Sequence, residues 1–214
     1  MDEDIAIIDT KTRNEKIKNF FVEKKKIIIS TITLIVVIIL SFYSYQIYKN
    51  GRIEQLSDKF NDAVIEHKNG NKLKVTSSMK QVVEDKDSTY SPLALYFLID
   101  NNLLENKSEI NGLFDILIKD TNLEKEIKNL VIYKKALFIA DYADENQLLG
   151  ELKPLLNSDS VWRSHALYLM AEFFYYKNEQ QKSKEFFVQI LNTENANQDI
   201  IKKAQKRLNR DLSD

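Results

Sequence analysis

The chain has 214 residues and a formal net charge of −1 at pH 7, so it lacks the basic excess that grips nucleic acid. It contains no cysteine, which excludes disulfide frameworks and cysteine-ligated metal or redox centres. Only four Gly and two Pro stand among abundant Lys, Glu, Leu and Ile, a balance that predicts an all-α body.

Residues 1–26 form a basic tail, acidic over residues 1–9, in which seven Lys or Arg stand with six acidic residues. Within it Ile17, Phe20 and Phe21 are spaced i, i+3, i+4 among lysines. That spacing suits a short amphipathic helix lying on the inner leaflet; a plain stop-transfer flank accounts for the same residues. Residues 27–48, from Ile27 to Tyr48, contain no charged residue, no Gly and no Pro. As a helix they reach about 33 Å, enough for a hydrocarbon core of about 30 Å. The apolar run is longer than the core of a signal peptide. Its exit, Ser41-Phe42-Tyr43-Ser44-Tyr45, lacks a small-x-small cleavage pair, so an uncleaved transmembrane helix is expected. Lys11, Arg13, Lys16, Lys18, Lys24, Lys25 and Lys26 precede it, whereas only Lys49, Arg52 and Lys59 follow closely. The positive-inside bias then puts the N-terminus in the cytoplasm, with Tyr43, Tyr45 and Tyr48 at the opposite headgroup level.

Beyond the span, Asn50-Gly51 is a local breaker that kinks or interrupts a helix. From there apolar residues recur at three- and four-residue steps, separated by polar breaks at residues 69–71, 105–107, 141–145 and 177–179. Ser91-Pro92 reads as an N-cap followed by proline at the first helical position, and Pro154 should kink or shorten its helix. The pattern predicts about nine helices of roughly 10–20 residues each over a domain of residues 52–212.

An internal repeat runs through this domain. In its clearest unit, residues 164–195, Ala171 and Ser183 are small where two helices would approach, and Phe174, Phe187 and Ile190 fill the spaces between turns. Ala63, Ile99, Ala136 and Ala171 stand 36, 37 and 35 residues apart, close to the tetratricopeptide period of about 34. Seven positions after each come Gly70, Asn106, Ala143 and Asn178, three of them tolerant of a left-handed turn. Three positions before each come Phe60, Tyr96, Tyr133 and Tyr168. The second-helix positions are weaker: Ser183 is in place, and Gly112 is one residue out of register. Residues 197–212, with Ile200, Ile201, Ala204 and Leu208 on one side, read as a polar capping helix. The expected fold class is therefore all-α, an N-terminal transmembrane helix followed by a tetratricopeptide-like α-solenoid of degenerate helix pairs.

This order of parts resembles the bacterial ancillary SecYEG translocon subunit family, in particular its alphaproteobacterial branch. The likeness covers residues 11–212. It rests on residues 13–26 running into the span, the segment 51–63 leaving it, and Val161-Trp162-Arg163 opening the last full repeat. It implies a single-pass inner-membrane protein with periplasmic repeats, beside the export channel, contacting exported chains or periplasmic chaperones. Members of that family are not enzymes, and none of their residue roles carries over.

The residues suggest no chemistry of their own. His67 and His165, the only histidines, have no ligating neighbour in sequence and read as solvated or capping. No phosphate loop, G-x-S-x-G or H-E-x-x-H occurs, and Glu84-Asp85-Lys86-Asp87 reads as a solvated turn. No catalytic, metal or cofactor residue is assigned, and no small-molecule substrate. The register Phe60, Tyr96, Tyr133, Tyr168 either lines a peptide groove along the first helices or packs between repeats as core. Trp162 reads as a packing residue. The expected partners are the lipid bilayer and other proteins; a scaffold for envelope or cell-division assembly is the alternative. A tail of 26 residues is too short to fold as a signalling output.

Overall fold

The computed structural model describes residues 18–212. Among them every regular element is helical, and contacts divide the chain into two compact units with the boundary between Gln55 and Leu56. Ile17 and the tail before it lie outside the described residues. Residues 18–23 are helical, with Phe20 and Phe21 both exposed.

Helix α1 spans Lys25–Lys68, 44 residues, about 66 Å at the usual rise. Asn50 and Gly51 do not interrupt it: Gly51 has open space around it, and a glycine costs a helix only about 1 kcal/mol. In the first unit the apolar residues from Ile27 to Tyr48 are exposed almost throughout, and none of the most apolar 18-residue window is buried. Two polar side chains within this stretch turn back on their own helix. Thr31 donates to the Ile27 carbonyl at 3.0 Å and Thr33 to the Ile29 carbonyl at 2.9 Å, which satisfies each hydroxyl without water. By length and composition α1 is able to cross a membrane.

In the second unit Leu56 is the first buried side chain and Ala63 the next. After α1 come α2 (Lys72–Glu84), α3 (Tyr90–Asp100) and α4 (Lys107–Asp115). A π-helical turn at Ile116–Asp120 leads to α5 (Lys125–Ile139) and α6 (Glu145–Leu156). The last three are α7 (Arg163–Tyr176), α8 (Gln180–Leu191) and α9 (Gln198–Asp211). Pro154 lies inside α6, which ends two residues later.

The turns follow one chemistry. At the end of α1, Gly70 (φ 82°) lets its own N–H reach the His67 carbonyl and the Asn71 N–H reach that of Glu66, which closes the helix with a left-handed residue. Asn178 (φ 59°) ends α7 in the same way, through Tyr175 and Phe174. After α3 the left-handed residue is Asn102 (φ 50°), not Asn106. Asn106 has φ −82° and caps α4, its side chain accepting from the Ser108 and Glu109 N–H groups. Ala143 is not left-handed either, since its Cβ would make that conformation costly. Only two of the four aligned turn positions thus share a geometry.

Ser91 also departs from expectation. Helix α3 begins at Tyr90, and Asp87 holds the turn that leads into it by accepting from the Thr89 and Tyr90 N–H groups, both at 2.8 Å. Ser91 is fully buried instead. Its hydroxyl donates to the Val82 carbonyl at 2.7 Å and accepts from the Asp87 N–H at 2.8 Å. It stands in for the direct bond that would otherwise close α2 past Lys86 (φ 56°).

Three apolar cores follow one another along the chain. The first joins Ala63 to Val75, Met79, Leu95, Leu98 and Phe114. The second holds Ala136, Leu148, Leu152, Met170 and Phe174, and the third Ala171, Phe187, Ile190 and Ala204. Helices pack mainly on their neighbours in sequence, α2 on α3, α5 on α6, α7 on α8 and α8 on α9. Ser183, fully buried, donates to the Ala171 carbonyl at 2.8 Å, so the two small residues meet where α7 and α8 come closest. Gly112, by contrast, is exposed and has nothing within 4 Å of a Cβ position; it marks no close helix contact.

Candidate functional site

The four aligned aromatics are half-buried and are distributed over the three cores. Phe60 on α1 packs against Tyr90 and Phe97, with ring centroids 5.9 and 6.2 Å away. Tyr96 on α3 belongs to the same core. Its hydroxyl is buried without a hydrogen-bond partner, and burial pushes the phenol up to about 12. Tyr133 on α5 stacks on Trp162 at 5.7 Å and meets the edge of His165 at 5.6 Å. Tyr168 on α7 meets Phe187 in the third core; burial, then its hydrogen bond to the Glu172 carboxylate, pushes it up to about 12. The structure brings Phe60 and Tyr96 into one core and leaves Tyr133 and Tyr168 in the other two. Each ring has a packing role, and the Tyr96 hydroxyl is not presented to a ligand.

Neither histidine is simply solvated or capping. His67 sits edge-on to Phe97 at 5.2 Å. His165 lies between Trp162 and Tyr133, with Nδ1 buried and unpaired. Burial holds its imidazole below the ordinary value; Lys203 adds to this and the Val161 carbonyl opposes it. Among the described residues no group of three His, Asp or Glu side chains is placed to hold a metal.

Two ionic clusters went unread in the sequence, because their members lie on different helices. Lys135, only 13% exposed, bridges Asp115 at 2.8 Å and Glu151 at 2.7 Å. Burial acts to raise the Asp115 carboxyl, and Lys135 with Lys119 outweighs it, holding the group below its usual value. Arg207 on α9 grips both oxygens of Glu172 on α7, at 2.8 and 2.7 Å, pairs with Asp211, and lies over the Tyr175 ring.

Two open clefts flank the α5–α6 connection. One, about 460 Å³, lies between the C-terminal ends of α5 and α7, walled by Tyr142, Leu169, Phe173 and Tyr176, with Asp141, Glu172 and Lys177 among its polar residues. The other, about 430 Å³, lies on the far side of Tyr142, beside Lys135, Gln147 and Glu151. Tyr142 divides them. Its hydroxyl accepts from the Asn111 side chain at 3.1 Å, and Lys107 lies 4.1 Å from its ring centroid. The sequence signal for the first cleft was faint: an exposed tyrosine beside a charged residue at each of two helix ends, Asp141-Tyr142 and Tyr176-Lys177.

Among its described residues the chain is thus all-helical, with one long apolar helix near the N-terminus. Comparison with known proteins returns no matching family model, no matching curated protein and no matching solved structure.

Proposed function

We propose that this chain is a single-pass membrane protein whose helical domain, a tetratricopeptide-like array of degenerate helix pairs, binds other proteins. The observation that carries the reading is α1, a helix with an almost wholly exposed apolar stretch that also supplies Leu56 and Ala63 to buried positions in the helical domain. Such a surface is costly in water and matched to lipid. Three successive cores, the neighbour-on-neighbour packing and the buried small residues Ala63, Ala136, Ala171 and Ser183 support the repeat reading. The mechanism is tethering: a domain fixed to a membrane meets its partners at high effective concentration, so weak contacts suffice.

The lysine-rich flank favours a cytoplasmic N-terminus and a periplasmic domain in a bacterial inner membrane. In that setting we place the protein beside the Sec translocon, as an ancillary subunit contacting exported chains or periplasmic chaperones, without an enzymatic step. The second reading is a scaffold for envelope or cell-division assembly. Photocrosslinking in intact membranes, from a benzoylphenylalanine replacing an exposed residue of the helical domain, Leu93, Val188 or Tyr176, separates them. Adducts with translocon components or exported chains are expected; adducts confined to division or wall-synthesis proteins overturn the export reading.

A further inference from the structure

The cleft between α5 and α7 differs from the aligned aromatics in being open and in its electrostatics. Tyr176 is 80% exposed and Tyr142 41%, while Leu169 and Phe173 form the apolar floor. The C-terminal ends of α5 and α7 both line it, at Ala140 and at Tyr176 and Lys177, and a helix C-terminus carries partial negative charge. Of the two lining carboxylates, Glu172 is engaged by Arg207; Asp141 is exposed and forms no ion pair among the described residues. The aromatic walls already receive cations from this chain, Lys177 at 4.8 Å from the Phe173 centroid and Lys107 at 4.1 Å from that of Tyr142. Ring faces and helix ends of this kind favour a positive guest.

We infer that this cleft is the partner-binding site, and that it takes a segment of another polypeptide in which an apolar side chain adjoins lysine or arginine. The apolar side chain enters between Tyr142, Leu169 and Phe173. The cation pairs with Asp141 and replaces Lys177 over the Phe173 ring. The inference rests on the reading of the domain as a protein-binding module and names its site and the chemistry of its partner.

The test uses the full chain in nanodiscs of zwitterionic lipid, with empty nanodiscs as blank. Two fluorescein-labelled peptides serve as probes, one of leucine and lysine, the other with glutamate at every lysine position. The lysine peptide is expected to bind and to crosslink to benzoylphenylalanine at position 176. Asp141→Lys should weaken it at least about tenfold, as reversal of a partner charge does. Both positions are exposed, so the variants are expected to fold, and unchanged thermal melting checks this. Preference for the glutamate peptide, binding indifferent to Asp141→Lys, or no binding of either peptide overturns the inference. Binding of the lysine peptide with crosslinks at the exposed positions 93 or 188 but not at 176 also overturns the cleft, yet leaves the protein-binding reading standing.

Discussion

His165 is placed to report on the acidity of its surroundings. Neutral, it fits between Trp162 and Tyr133; charged, it loses hydration and faces Lys203. The unfolded chain takes up this proton near the ordinary value of 6.5, and the folded chain only at lower pH. The stability linked to His165 is therefore complete above pH 6.5 and is lost as the pH falls through the lower folded value. Thermal melting between pH 7.5 and 5 should show a decline that His165→Gln abolishes. Because Trp162 is the only tryptophan, its fluorescence follows the same titration; a midpoint at or above 6.5 would show that ring–cation attraction outweighs burial. Lys135 makes a second residue-scale test. Replacing it with methionine leaves Asp115 and Glu151 facing one another without their shared cation. The cost should be about 2 kcal/mol, below that of a fully buried pair because both carboxylates keep some water. Urea unfolding of Lys135→Met measures it.

At the scale of elements, the turns rest on a few residues each. Ser91→Ala removes the hydroxyl that links the Val82 carbonyl to the Asp87 N–H and leaves two backbone groups unpaired at a buried site. A loss of about 1–3 kcal/mol is expected, readable by chemical denaturation, with Ser91→Thr losing less. Asn178→Ala should cost about 1 kcal/mol because the left-handed turn strains a Cβ, while Asn178→Gly keeps or raises stability. These sites also show what a sequence conveys. The period-3.6 pattern predicted a helical body, and the polar breaks at residues 69–71, 105–107, 141–145 and 177–179 fall at four of its turns, because helix formation and termination are local. Asn178 and Gly70 were legible as turn residues for the same reason. Ser91 was misassigned because a serine before proline looks like a cap, and only the neighbouring α2 shows that its hydroxyl is used elsewhere. Asn106 was misassigned because asparagine serves both as left-handed residue and as N-cap, and the choice lies with Asn102 four residues earlier. The α5–α7 cleft was hardly legible, because it depends on which helix ends the packing brings together.

For the whole molecule, stability and location have separate origins. The three cores hold the helical domain, and the largest single losses should come from their centres. Phe187→Ala, which empties a fully buried ring site in the third core, should cost about 3–5 kcal/mol by urea denaturation, and the exposed Tyr176→Ala close to nothing. Residues 27–48 add nothing to those cores, and their exposed apolar surface is long enough to cross a bilayer, on which the proposed membrane location rests. The proposed topology requires this helix to hold the domain on the side of the membrane away from the lysine-rich flank. Protease added to intact spheroplasts tests that most directly. Digestion of the chain beyond about residue 50 is expected, with the span and the preceding flank protected until the membrane is broken. Protection of the helical domain in intact spheroplasts, or its release from the membrane fraction by alkaline carbonate, would contradict it.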